Sequence, residues 1–255
     1  MFRSVSSIHG RYLAAAALLL VAGTVLAQAP AGAPAQDAPK NLKVLPKDWT
    51  RPQVIQVMQN FTAALGVGCE HCHVEKEGAP PDFESDDKKE KNQARAMMKI
   101  AQDLNARLPK DLDESADQLT RIGCITCHRG VPEPKQIGEI LSKTSKDKGF
   151  AAASAQYTDL KTKYYGAQAY DFAETGLIAT ARPLIQGNRN DEAIQFLQLN
   201  LTLFPKSAAS WVTIAQAQQG KKDNAAAIES LQKALAIDPK NAQATRMLGQ
   251  LQPKK

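Results

Sequence analysis

The chain has 255 residues, with 32 Lys and Arg against 26 Asp and Glu and a formal charge of +6. That length holds one large domain or two small ones, and a hydrophobic share of 43% is enough for an ordinary core. The lysines are scattered among acidic runs such as Asp82 to Asp87 with no interleaved basic and aromatic patch, so the charge reads as a solvated surface rather than a nucleic-acid face.

Residues 1–27 read as an export signal. Arg3 and Arg11 form a positive start, Leu13 to Leu26 an apolar run, and Val25-Leu26-Ala27 a small-residue cleavage site. The run is short for a membrane span and includes Gly23 and Thr24, so no transmembrane segment is expected in the mature chain. Residues 28–45, with Pro30, Pro34 and Pro39, read as an Ala/Pro-rich tether.

The first folded unit is expected over residues 46–142. Thr50 is placed to cap a helix, with Pro52 in its first turn and Gln53 three residues on. Val54, Ile55, Met58, Phe61 and Leu65 follow at helical spacing, and Gly66 and Gly68 end the helix. Directly after them stands Cys69-Glu70-His71-Cys72-His73. Residues 74 to 90 are polar and read as loop. A second helix is expected from about Lys88, with Ala94, Met97, Met98, Ala101, Leu104 and Leu108 on one face and Pro109 limiting it. A short amphipathic segment, Ala116 to Ile122, then leads into Cys124-Ile125-Thr126-Cys127-His128.

Both pentapeptides read C-x-x-C-H, the attachment sequence for a c-type haem. Two thiols a helical turn apart can each add to a vinyl group of one porphyrin, and the following His then lies under the ring to bind the iron. The two copies use all four cysteines of the chain. One zinc on two C-x-x-C pairs, or disulfides in an exported protein, would account for the cysteines but not for a His after each pair. The expected cofactors are therefore two covalent haem c groups, attached at Cys69, Cys72, Cys124 and Cys127 and ligated by His73 and His128. Export agrees, since c-type haem is attached outside the bacterial cytoplasm, which places the protein in the periplasm. Met58, eleven residues before Cys69, offers a sulfur as sixth ligand to the first iron; its other reading is a core-filling methionine.

With these residues in place, the segment from about 50 to 140 resembles the cytochrome c subunit of photosynthetic reaction centres. The resemblance rests on the run Val57-Met58-Gln59-Asn60-Phe61-Thr62-Ala63-Ala64-Leu65-Gly66-Val67-Gly68-Cys69-Glu70-His71-Cys72-His73, on Ala94-Arg95 and Asp103-Leu104-Asn105, and on Cys124 to Gly130. It implies Met58 and His73 on the first haem iron and His128 on the second. That subunit is tetrahaem, and only two motifs stand here. Its last haem takes a distant histidine, whereas His9 of this chain falls in the export segment. Met97 is the first candidate for the second haem's sixth ligand, Met98 the alternative and His71 a third.

After Val131-Pro132 the haem unit ends. Residues 143–172 read as a connector, lysine-rich and partly helical, with an aromatic cluster, Tyr164-Tyr165-Gly166 and Tyr170-Asp171-Phe172, that could pack one domain on the other or meet a partner. Residues 173–255 carry an internal repeat. Pro205 and Pro239 are 34 residues apart, the tetratricopeptide period. Trp211, Ala215, Ala227, Leu231 and Ala234 take its packing positions, as do Leu177, Ala181, Ala193 and Leu197 one period earlier. The expected fold is all-α: a helix and C-x-x-C-H unit used twice, followed by a short tetratricopeptide array. Two irons each closed by His and a thioether would relay single electrons between redox-partner proteins, docked at the repeats, with no enzymatic role. The rival is a peroxidase-like haem enzyme with one open iron.

Overall fold

A computed structural model describes residues 38–252; the segment expected to be an export signal and residues 28–37 of the expected tether lie outside the described residues. Among the described residues the chain is helical except for one short hairpin, in agreement with the all-α expectation. Helix α1 runs Arg51–Leu65. The Thr50 N–H and hydroxyl both donate to Gln53 Oε1, at 2.8 Å each, so its first turn is capped as the sequence suggests. Gly66 ends it in the left-handed region (φ +65°), its N–H on the Thr62 carbonyl at 2.8 Å. A 3₁₀ turn follows at Cys69–His71, then strands β1 (Val74–Lys76) and β2 (Ala79–Asp82), helix α2 (Lys89–Asp111) and helix α3 (Cys124–His128).

Three local expectations are corrected here. The polar stretch after His73 is not all loop: β1 and β2 pair antiparallel, Val74 opposite Asp82 and Lys76 opposite Ala79, around Gly78 at φ +67°. Ala116 to Ile122 is not helical. The reason is a competing partner: the Asn105 side chain takes both main-chain groups of Ile122, accepting from its N–H at 2.8 Å and donating to its carbonyl at 2.8 Å. Pro109 does not stop α2, which ends two residues later; having no N–H, it forgoes the helical bond to the Asn105 carbonyl, a single loss close to the helix end.

Beyond Val131 the chain is a stack of helices: α4 (Ile137–Lys148), α5 (Phe150–Tyr164), α6 (Glu174–Gln186), α7 (Asn190–Leu203), α8 (Ala208–Gly220), α9 (Asn224–Ile237) and α10 (Ala242–Leu251). Ser207, Asp223 and Asn241 cap α8, α9 and α10, each accepting the N–H three residues on at 3.0 Å. The residues read as connector form the end of α4 and all of α5, and they join the repeat core. Leu141, Tyr157 and Phe172 are buried with Leu177, Phe196 and Leu197 in one cluster. Trp211 links this cluster to a second around Val212, Ala215, Leu231 and Met247. The alanines at the repeat positions, Ala181, Ala193, Ala215, Ala227 and Ala234, are fully buried, which lets neighbouring helices approach closely.

The N-terminal part is built differently. Between residues 38 and 136 only Ala64 and Val131 are buried apolar side chains. Main-chain contacts hold it instead: the Gly130 N–H donates to the Ala64 carbonyl at 2.9 Å, and a Cβ on Gly66 would lie 2.2 Å from the Gly130 oxygen. Gly66→Ala therefore meets both left-handed strain, about 1–2 kcal/mol, and a backbone clash of roughly 1–3 kcal/mol. Gly78→Ala, with the same sign of φ and nothing within 4 Å, meets the strain alone. Thermal unfolding of the two variants should show the larger loss for Gly66→Ala; equal losses would mean the close approach is not tight in solution.

Candidate haem attachment sites

The first C-x-x-C-H lies on the 3₁₀ turn, entered from Gly68 in extended backbone and closed by the His73 N–H on the Cys69 carbonyl at 3.0 Å. The second forms the whole of α3, capped by Thr126 Oγ1, which accepts the Gly123 N–H at 3.0 Å, and ended by Arg129 in the left-handed region. Both thus present their cysteines on a single helical turn. All four thiols are free, Cys69 and Cys127 exposed, Cys72 and Cys124 half-buried. Burial pushes the Cys72 thiol up, with Glu90 adding to it, and burial does the same for Cys124. Among the described residues no group of three or more His, Cys, Asp and Glu comes together as a metal site.

The two motif histidines sit in different surroundings. His73 is 8% exposed, and its ring meets Phe83 edge-on, centroids 5.0 Å apart at 71°. Its Nδ1 is buried with no hydrogen-bond partner. Burial first, then Lys91, Arg95 and Lys88, hold its pKa below the usual histidine value, so the ring is neutral and able to ligate. His128 is half-buried, with Nδ1 3.0 Å from the Val131 carbonyl.

Phe83 is aimed by polar ties that sequence patterning does not reveal. Asp82 closes the hairpin: its carboxylate pairs with Lys76 at 2.9 Å and accepts the Glu84 and Ser85 N–H groups at 3.0 Å. Lys91, nearly buried on α2, donates to the carbonyls of Phe83, Glu84 and Ser85 at 2.9, 3.1 and 2.6 Å. Asp86 gathers Lys43, Arg95 and Lys91, and Asn41 joins it at 2.9 Å, tying the entering chain to α2. Met58 is half-buried on α1, Met97 is 47% exposed and Met98 is half-buried. Met98 lies two turns before Asn105, on the helix face that holds Ile122 against the second motif. His71 is half-buried within the 3₁₀ turn.

The residues present fit covalent haem. Seven of the nine large hydrophobic side chains left exposed among the described residues lie in this part: Ile55, Phe83, Met97, Ile100, Leu104, Leu112 and Ile125. A segment with almost no core and this much uncovered apolar surface, around two thiol pairs and two imidazoles, suits a large flat apolar group on each turn.

Comparison with known proteins agrees. The family profile described as "Photosynthetic reaction centre cytochrome C subunit" matches residues 11–198, well over half of the chain. The chain belongs to this family. The match reaches from residue 11 to α7, further than the motifs alone suggest. A tetratricopeptide profile matches residues 208–241, which are α8, α9 and the turn after them. Cytochrome c-554 of Chloroflexus aurantiacus is 35% identical over 81 residues, 31% of this chain and 18% of that protein. The chain thus spans under a fifth of that relative's length. Family membership makes the protein a c-type cytochrome, with covalently bound haem c implied.

The carboxylates that aim Phe83 predict an acid response. Hydrogen bonds from Lys76, Ser85 and Glu84 hold Asp82 at about 2, against 3.8 for the free group. Lys43 above all, then Arg95 and Lys91, hold Asp86 lower still. A depressed folded pKa gives stability that is complete above the unfolded value and is lost as pH falls through the folded one. The wild type should lose stability steadily between pH 3.8 and about 2, and Asp82→Asn should be less stable at pH 7 with a shallower loss over that window. An unchanged slope in equilibrium unfolding would show that Asp82 is not engaged.

Proposed function

We propose that the protein is an exported, periplasmic dihaem c-type cytochrome that relays single electrons between redox partners, is not an enzyme, and docks through its helical repeats. The observation that carries the reading is the pairing of two C-x-x-C-H turns with a coreless, apolar-lined segment. Bound there, haem c supplies an iron that changes oxidation state by one electron. Cys69 with Cys72, and Cys124 with Cys127, fix the ring edges. His73 and His128 offer imidazole nitrogens on one side, and Met58 a thioether on the other side of the first. For the second, Met97 and Met98 on α2 are the candidates, and the Asn105 face of the helix supports Met98. Two closed coordination spheres leave no position for a peroxide or other substrate, which favours a carrier over the peroxidase-like alternative.

Export is supported by the family, whose members are typically exported, and by the apolar run Leu13 to Leu26, which lies outside the described residues. No helix among the described residues is long and apolar enough to cross a membrane. Docking is supported by the tetratricopeptide match and by a cleft of about 510 Å³ between α6, α8 and the start of α10. Arg182, Gln186, Thr213, Gln216, Asn241 and Gln243 line it, a mostly uncharged polar wall suited to main-chain groups of a protein partner.

Two measurements test this. Haem-to-chain stoichiometry should give two, and the ferric protein should show a far-red sulfur-to-iron charge-transfer band that falls by about half in Met58→Ala and disappears when Met98 or Met97 is also replaced. A wild-type high-spin iron indifferent to both α2 methionines would put the enzyme reading first. For docking, Gln216→Arg should slow electron exchange with periplasmic fractions at an unchanged haem spectrum; an equal rate would remove the repeats from partner binding.

A further inference from the structure

The two C-x-x-C-H turns differ in what stands behind the imidazole. The Val131 carbonyl can only accept, so His128 Nδ1, 3.0 Å away, carries the proton and donates it, leaving Nε2 for iron. A bond donated from Nδ1 makes the ring a stronger donor, which favours the ferric state. His73 Nδ1 is buried and has no such partner. Its ring is also the more buried of the two, and burial disfavours the additional positive charge of ferric iron.

Charge acts in the same direction. Lys91, Arg95 and Lys88 all bear on the His73 ring, with Asp82 opposing them. Asp82 is itself paired with Lys76, and Asp86, which meets Lys91 and Arg95, is shared with Lys43. A net positive surrounding therefore remains, and it favours ferrous iron. Next to His128 there is a single cation, Arg129, whose guanidinium donates to the Gln168 carbonyl at 3.3 Å and keeps its charge, against three on the His73 side.

We propose that these surroundings order the two midpoint potentials: His73 and its cations hold the higher, His128 and the Val131 carbonyl the lower, so that an electron entering at His128 passes on to His73. This rests on the dihaem reading above. With haem bound at both turns, His128 would hold the donor iron and His73 the acceptor, one electron lost by the first being gained by the second, and no proton would have to move, since Nδ1 of His128 is already a donor.

The test is an equilibrium redox titration of the haem-loaded full chain, followed optically, with haem stoichiometry measured on the same sample. Lys91→Gln removes a positive charge beside His73 but also frees three carbonyls. Lys88→Gln removes charge while leaving those bonds in place. Both variants should lower the upper of two one-electron waves and leave the lower one where it is. Movement of the lower wave, or of neither, overturns the proposed order. A stoichiometry of one haem per chain would instead remove the dihaem reading, and it is seen before any potential is read.

Discussion

Fewer than a hundred residues between Ala38 and Val131 fold around only two buried apolar side chains of their own, Ala64 and Val131. Ordering a residue's backbone costs about 1–2 kcal/mol, which is ordinarily offset by apolar burial. Here burial by the chain itself is missing, and the apolar groups that could supply it, such as Ile100, Leu112 and Ile125, face outward. The segment is therefore shaped to be completed by something large and flat. Its position in the fold, its thiols and its neutral His73 all follow from that one requirement.

In place of a core the segment uses charged and amide side chains against main chain. Lys91 captures three successive carbonyls, Asp86 draws Asn41, Lys43 and Arg95 to one carboxylate, and Asn105 holds Ile122 by both its polar groups. These bonds are directional where apolar contacts are not, so they fix orientation as well as proximity. Phe83 meets His73 because its own carbonyl is held by Lys91. The C-terminal helices, by contrast, rest on interdigitated Leu, Ala and Phe, with Asn200 and Ser210 as a small buried polar knot. One chain thus contains two stabilising strategies, divided near Val131.

What could be read from the sequence followed the same division. Helix α1 was legible because its cap, its apolar spacing and Gly66 agree, and the repeats were legible because alanines recur at crossings 34 residues apart. The two motifs announced their chemistry by residue type alone. The hairpin was not legible, since strands of three and four residues containing Pro80 and Pro81 have no alternation to detect. Ala116 to Ile122 misled because an amphipathic pattern says nothing about an asparagine on another helix competing for the backbone. That α5 belongs to the repeat core was hidden by its weak apolar bias: of its 15 residues only Ala153 and Tyr157 are buried. The surroundings of the two motif imidazoles were out of reach too: one Nδ1 faces the Val131 carbonyl and the other is buried without a partner.

The contact between Gly66 and Gly130 bears on how this protein can change over time. The two cysteine turns are joined there through main chain alone, by a 2.9 Å bond from Gly130 to Ala64 and a gap that admits no side chain. Their spacing is therefore insulated from drift elsewhere in the sequence. Surface charges and repeat helices can diverge while the separation of the two cysteine turns stays as the backbone sets it.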